Sequence, residues 1–372
     1  MNTTIIQLLS DHLNGARSAA AVSPEDIDLA ASHQLLPIVY YQTKDASAHR
    51  AFLQSICSYT QRSALLQQID EAFLEIPYYT VKGLSMARYY PVPQLRTMGD
   101  CDIIVHECDK ERAKEALLSI GFSYEEMEWD DMEWHFSKQG LEFELHHSLL
   151  YDETVNTEPQ KAFAARAWEH EHDHELDVNF HFVYALIHLK KHLLNRGVGL
   201  RQFMDLAVMS KNAALDRDVI ADYLKQLELE YFAGVCSALC TEWFGIALPV
   251  ESAEINDEFF SLATETILAN GVFGFDNPEN LENGLLNSID KHGKFPLIFS
   301  KLFPSYKTCC ITPKYKWIKG KPYLMPVLWL YRPFAVLFAG RLKDEMTHIA
   351  DVVGSDEKIE SRKRVLAAWG LK

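Results

Sequence analysis

The chain has 372 residues, with 36 lysines and arginines against 52 aspartates and glutamates, a net charge of −16. Hydrophobic residues make up 48% and aromatics 12%, enough for a sizeable core, so global disorder is excluded. The acidic balance argues against a broad surface for nucleic acid but leaves room for a local basic pocket.

The length predicts two to three domains at roughly 150 residues each. The N-terminus, MNTTIIQLLSDHLNG, lacks a basic region and a long apolar stretch, so it does not read as a secretory signal. Seven cysteines occur without any C-x-x-C spacing, which predicts reduced thiols and a cytoplasmic protein. Residues 1–75 read as a helical segment. Ser23-Pro24-Glu25-Asp26 is a helix start, with a capping serine, proline at the first position and acids in the first turn. A longer helix is predicted from about Ala46 to Leu74.

The character changes at Ile76. Residues 76–150 predict strand, short helix, strand, helix, strand, strand. Cys101–Val105 is a short apolar strand, Asp109 caps the following helix, and Gly121 ends it. Glu133–Ser137 and Leu141–Ser148 read as strands joined at the Gln139-Gly140 turn. The fold class is therefore α+β, a small mixed sheet with flanking helices. Residues 151–372 read as a large, mostly helical region, clearest over Asn179–Leu194 and Asp218–Phe244, with Gly245 as a stop. Residues 271–322 predict long loops around short helices. Residues 322–340 are apolar, but three prolines and Arg332 interrupt them, so they predict a buried helix pair, with interfacial membrane contact as the alternative, and no transmembrane span.

The chemistry concentrates at Asp100 and Asp102. Strand alternation projects both carboxylates to one side and turns Cys101, Ile103 and Val105 to the core. Paired carboxylates repel unless a cation lies between them, and hard oxygen ligands favour Mg²⁺ or Mn²⁺. In Leu141–Ser148 an apolar face alternates with Glu142, Glu144 and His146. A glutamate from this strand would complete a three-carboxylate cluster, and periodicity alone does not choose between Glu142 and Glu144.

The segment VKGLSMARYYPVPQLRTMGDCDIIVHECDKERAKEALLSIGF, followed by LEFELHHSLL, resembles the nucleotidyltransferase superfamily. It is most similar to a bacterial branch with a Lys-Gly turn, an Arg before D-x-D and Glu-x-His on a later strand. FHFVYALIHLKKHLLNRGVGLRQFMDLAVM and SHQLLPIVYYQ fit the same branch, so the resemblance covers about residues 30–245. It implies that residues 76–150 are a catalytic core and that Asp100, Asp102 and Glu144 are metal ligands. It also implies an NTP donor, ATP among the candidates, and release of pyrophosphate. The acceptor would be a hydroxyl of a small molecule, a sugar or a protein. Gly83 becomes the turn where backbone meets phosphate, although Lys82-Gly83-Leu84-Ser85 stands where the wider superfamily has Gly-Gly or Gly-Ser.

Lys82 and Ser85 are then candidates for phosphate contact. Arg96 suits phosphate oxygens or a carboxylate such as Asp100. His188, Lys191 and His192 share one helical face and are placed at the nucleotide or acceptor pocket. Arg201 and Asp205 read as an i, i+4 ion pair or as pocket wall. His170, His172 and His174 of EHEHDHELD, residues 169–177, would share a face on a strand and could trap zinc or nickel, but the run reads first as a charged edge strand or loop, and Cys236 and Cys240 read as core. Two other readings stand beside the enzyme: a nucleotide-binding module without turnover, and a toxin–antitoxin or assembly partner.

Overall fold

The computed structural model describes residues 4–125, 133–150, 156–195, 197–272, 303, 305, 306, 309, 313–318, 320–338 and 356–371. The predicted loops of 271–322 and Cys310 lie largely or wholly outside these residues. The chain forms two compact units, one of residues 1–125 and 132–281 and one of residues 126–131 and 282–372.

The larger unit is built on a mixed sheet. Its strands are β1 (Tyr78–Val81), β2 (Asp102–Val105), β3 (Ser123–Glu125), β4 (Glu133–Lys138), β5 (Leu141–His146), β6 (Glu171–His172) and β7 (Glu175–Leu176), in the order β3-β4-β5-β2-β1-β7-β6. β1 runs antiparallel to β2, and β2 runs parallel to β5. Four helices precede the sheet: α1 (Thr4–Leu13), α2 (Pro24–Ser32), α3 (Leu36–Thr43) and α4 (His49–Ala72). α5 (Gly83–Ala87) and α6 (Lys110–Ser119) lie between its strands. α7 (Glu158–Ala165), α8 (Val178–Asn195), α9 (Leu200–Asn212), α10 (Arg217–Gln226), α11 (Glu230–Phe244) and α12 (Asp257–Asn270) follow.

Alternation along the strands decides what is core and what is site. Cys101, Ile103, Val105, Phe136, Phe143 and Leu145 pack with Leu65, Ile69 and Phe73 of the α4 region and Ala113 and Leu117 of α6. Asp102, Glu144 and His146 alternate with these residues and so point to the opposite face. The sheet has one greasy side under α4 and α6, and one side carrying acids.

Local signals hold where the chemistry is local. Asp26 N–H donates to Ser23 Oγ at 3.2 Å and Ser23 N–H donates to Asp26 Oδ2 at 2.8 Å, a reciprocal cap on α2. Gln139 and Gly140, with φ of 57° and 74°, form the tight turn between β4 and β5. Gly245 ends α11 in the left-handed region. The EHEHDHELD segment forms the edge hairpin β6–β7, where His174 stacks on Tyr78 and His170 stacks on Phe180. Cys236 and Cys240 are buried in α11.

Other expectations change. The single helix over 218–244 is two, because Glu228 adopts φ 55° and turns buried Leu227 and Leu229 inward. Asp109 precedes α6 but its carboxylate takes Arg112 at 2.6 Å instead of capping the helix. β3 and the short β6 and β7 carry too few residues for a periodic signal.

In the smaller unit Cys309, Tyr315, Ile318, Met325 and Leu328 form a cluster. The expected helix pair of 322–340 is, over its described part, a turn at Pro322–Leu324 leading into one helix, Met325–Phe338. A further helix spans Asp356–Ala368. No helix among the described residues is long and apolar enough to cross a membrane.

Candidate active site

The strand register sets the centre of the site. β2 and β5 run in parallel with Asp102 directly beside Glu144 and Ile104 beside His146. Glu142, two residues earlier, is exposed, and its backbone carbonyl accepts from Arg62 Nη1 at 2.8 Å. Ligand atoms of Asp102, Glu144 and His146 lie within 4.8 Å of one another. His146 Nε2 is 3.3 Å from Asp102 Oδ1 and 3.3 Å from Glu144 Oε2.

Asp102 is 1% exposed. Lys82 Nζ donates to its Oδ1 at 2.5 Å, whereas its Oδ2 is buried and accepts no hydrogen bond among the described residues. Burial by itself would raise the pKa of Asp102, but Lys82 and His146 outweigh it and hold the carboxyl far below its usual range. Burial likewise opposes the charge on Lys82, and Asp102 reverses this and raises it well above the ordinary lysine value. For His146, burial opposes the charge, but the adjacent carboxylates of Asp102 and Glu144 outweigh it and raise the imidazole to about 9.

These facts bear on a metal. An orphaned, buried carboxylate oxygen beside a second carboxylate and an imidazole is a donor set that fits a divalent cation. Glu133, His135 and Glu144 form a second such group, with His135 Nδ1 3.7 Å from Glu144 Oε1. Glu144 belongs to both.

Asp100 stands just before β2 and lines the cleft next to this cluster. Burial and the neighbouring Asp102 raise its pKa. The chain reaches this point through a tight approach. Lys82 has φ 55° and Gly83 φ 27°, both in the left-handed region. A Cβ on Gly83 would sit 3.3 Å from the Asp100 carbonyl oxygen.

The cleft has a volume of about 240 Å³. Of the residues singled out in the sequence, Lys82, Gly83, Arg96, Asp100, Glu144, His188, Lys191 and His192 line it. Asp102 lies beneath it. Ser85 is turned away into the core, where its hydroxyl meets Thr80 Oγ1 at 2.5 Å. His188 and His192 on α8 approach Nε2 to Nε2 at 3.1 Å, and burial together with His192 holds His188 well below its ordinary pKa.

Arg96 pairs with Asp205, not with Asp100. Its Nε and Nη2 donate to the two Asp205 oxygens at 2.8 Å each, and its Nη1 donates to the Gly83 carbonyl at 3.1 Å. Tyr90 Oη donates to the same carboxylate at 2.7 Å. Arg201 reaches Gln34 Oε1 at 2.8 Å and the Thr97 carbonyl at 3.1 Å, and lines the cleft. Arg201 and Asp205, which the i, i+4 spacing reads as an ion pair or as pocket wall, both line the cleft, and the carboxylate of Asp205 takes Arg96 instead.

Three contributors escaped the sequence reading. Glu133 and His135 share a face of β4, and the tight turn at Gln139-Gly140 already fixes His135 opposite Glu144, so counting back from the turn would have found them. Arg62 carries no signal at all in the sequence. It is buried on α4 and donates to the carbonyls of Gly99 and Glu142, at 2.5 and 2.8 Å, tying the segment before β2 to β5.

No curated protein and no solved structure matches the chain. The model of a family described as "Uncharacterised nucleotidyltransferase" matches residues 24–245, which contain the whole cleft. That match spans more than half of the sequence, and the chain belongs to this uncharacterised nucleotidyltransferase family.

Proposed function

We propose that the protein transfers a nucleoside monophosphate from an NTP to a hydroxyl acceptor, in the cytoplasm and with Mg²⁺ or Mn²⁺. The acceptor hydroxyl gives up its proton to solvent, its oxygen forms a bond to the α-phosphorus, the bond from that phosphorus to the β-phosphate bridging oxygen breaks, and pyrophosphate leaves. The observation that carries this reading is the level pairing of Asp102 and Glu144 across β2 and β5, under a cleft lined by Lys82, Lys191 and Arg201. Carboxylates at the floor and cations at the wall match a metal–triphosphate.

Asp102, Glu144 and His146 would hold one cation, with Asp100 at its side. Glu133 and His135 would share Glu144 in holding a second. Such ions neutralise triphosphate charge and acidify a bound hydroxyl. The imidazoles favour Mn²⁺ over Mg²⁺ relative to an all-oxygen set. Lys82 supplies positive charge at Asp102, and Arg96 fixes the Gly83 turn. The division of labour we propose assigns the metals to residues 76–150, and His188, Lys191 and His192 of the helical region to the nucleotide or acceptor. The acidic net charge favours a small molecule, sugar or protein over a long nucleic acid as acceptor.

The Lys82–Asp102 pair also favours a second reading, a nucleotide-binding module in which the ammonium replaces the metal. Pyrophosphate release across a panel of NTPs and acceptors separates the two, because the module binds without releasing it. For the enzyme, Asp102→Asn and Asp100→Asn each abolish release in a folded protein, and Asp102→Asn weakens Mn²⁺ in a calorimetric titration. Wild-type Mn²⁺ affinity in Asp102→Asn removes the metal role of this carboxylate.

A further inference from the structure

A second cavity, of about 300 Å³, lies against the N-terminal helices next to the catalytic cleft. Arg96 and Met98 line both spaces. From this geometry we infer that the second cavity seats the base of the nucleotide; the inference rests on the nucleotidyl-transfer reading above.

The lining chemistry selects a neutral occupant. Leu36, Ala51, Tyr59 and Met98 offer apolar surface, and Gln34 and Thr97 offer neutral hydrogen-bonding groups. The charge in the lining is Arg96, whose three guanidinium nitrogens are already directed to Asp205 and the Gly83 carbonyl. A phosphate or carboxylate would enter without a cation to meet it. A base is neutral and flat, presents a hydrogen-bonding edge, and stacks on an aromatic face such as Tyr59.

The partition between the two spaces is built and not merely crowded. Thr97 Oγ1 donates to the Gln34 carbonyl at 2.9 Å, and Arg201 of the cleft donates to Gln34 Oε1 at 2.8 Å. Gln34 itself adopts φ 57°, a left-handed conformation that costs a non-glycine residue energy and is held by these contacts. Arg201 orients the Gln34 carboxamide by its oxygen, which leaves the amide NH₂ to face a ligand.

The position separates base from acceptor. The attacking oxygen of an acceptor must reach the carboxylates, and none of Asp100, Asp102 or Glu144 lines this cavity. The base is tethered to the triphosphate through the ribose, so its seat must open onto the triphosphate cleft without containing the metal ligands. The shared Arg96–Met98 wall meets that requirement. The seat then belongs to α2–α4 and not to the helices that follow the sheet.

The test compares two probes in Mg²⁺ buffer by calorimetric titration: each of the four common NTPs and inorganic tripolyphosphate. Ala51→Trp fills the cavity, and Tyr59→Ala removes the stacking face. Each variant is expected to weaken its best NTP by about ten- to a hundred-fold while tripolyphosphate binding stays within about twofold of wild type. Thermal melting checks the fold, and Tyr59→Ala decides if Ala51→Trp does not fold. Unchanged NTP affinity, or equal loss of NTP and tripolyphosphate, overturns the inference. If the wild type binds tripolyphosphate and every NTP equally well, the base has no seat, while the nucleotidyl-transfer reading survives. If the wild type binds neither, both readings fail.

Discussion

Arg96 and Asp205 stand 109 residues apart and meet through two parallel hydrogen bonds of 2.8 Å each. The pair ties the segment that leads into Asp100 to helix α9, and the third arm of the guanidinium holds the Gly83 carbonyl. Burial by itself would disfavour the charge on Arg96, but Asp205 outweighs it and raises the pKa further. A two-pronged pair of this kind fixes direction as well as distance.

Removing one partner should therefore cost more than removing both. Arg96→Ala strands a buried carboxylate, and a loss of about 3–5 kcal/mol is expected. Arg96→Met with Asp205→Leu should recover part of that loss. Urea denaturation of Arg96→Met, Asp205→Leu and the double variant gives the coupling. Simple additivity would show that the pair carries no linked role.

The register of β2 and β5 predicts a contrast between two glutamates. Glu144→Gln should collapse kcat for pyrophosphate release and raise the nucleotide Kd in Mn²⁺ buffer, because Glu144 belongs to both metal groups. Glu142→Gln, on an exposed side chain, should change neither by more than about twofold. A dead Glu142→Gln with an active Glu144→Gln would falsify the assignment of Glu144.

Lys82 neutralises a carboxylate that is 1% exposed. Lys82→Met should lower Tm in metal-free buffer, because Asp102 keeps a buried charge without its cation. Added Mn²⁺ should restore the loss, since a ligand at about 100 times its Kd contributes about 2.7 kcal/mol. Differential scanning calorimetry with and without Mn²⁺ reads both arms. A variant that melts like wild type and gains nothing from Mn²⁺ contradicts this role.

Two buried histidines predict how stability responds to acid. Burial lowers His12 to about 4 and His181 to about 3, from an ordinary value of 6.5. Both ring nitrogens of His181 lack a hydrogen-bond partner among the described residues, so protonation there finds no acceptor. With the folded pKa depressed, the unfolded chain binds more protons once the pH drops below 6.5, and stability falls from there towards pH 4. Tm measured from pH 7.5 to 4.5 should decline over the lower half of this range, and His181→Phe should flatten the decline. An identical slope in His181→Phe would exclude His181 as a source.

The sequence by itself determined the features that depend on neighbours along the chain. The Ser23 cap, the Gln139-Gly140 turn, the alternation of Cys101, Ile103 and Val105 against Asp102, and the shared face of His188, Lys191 and His192 are all local geometry. The family resemblance rested on the same short motifs. The tertiary structure decided everything that depends on pairing between distant segments. Glu144 stands beside Asp102 because two parallel strands align in one register, and periodicity of two admits Glu142 equally well. Asp205 is held by Arg96, a distant loop residue, because a buried carboxylate takes the donors that fold against it wherever they lie in the chain. Arg62 buttresses β5 and the segment before β2 through backbone carbonyls, which every residue has, so no residue type in the sequence marks its targets.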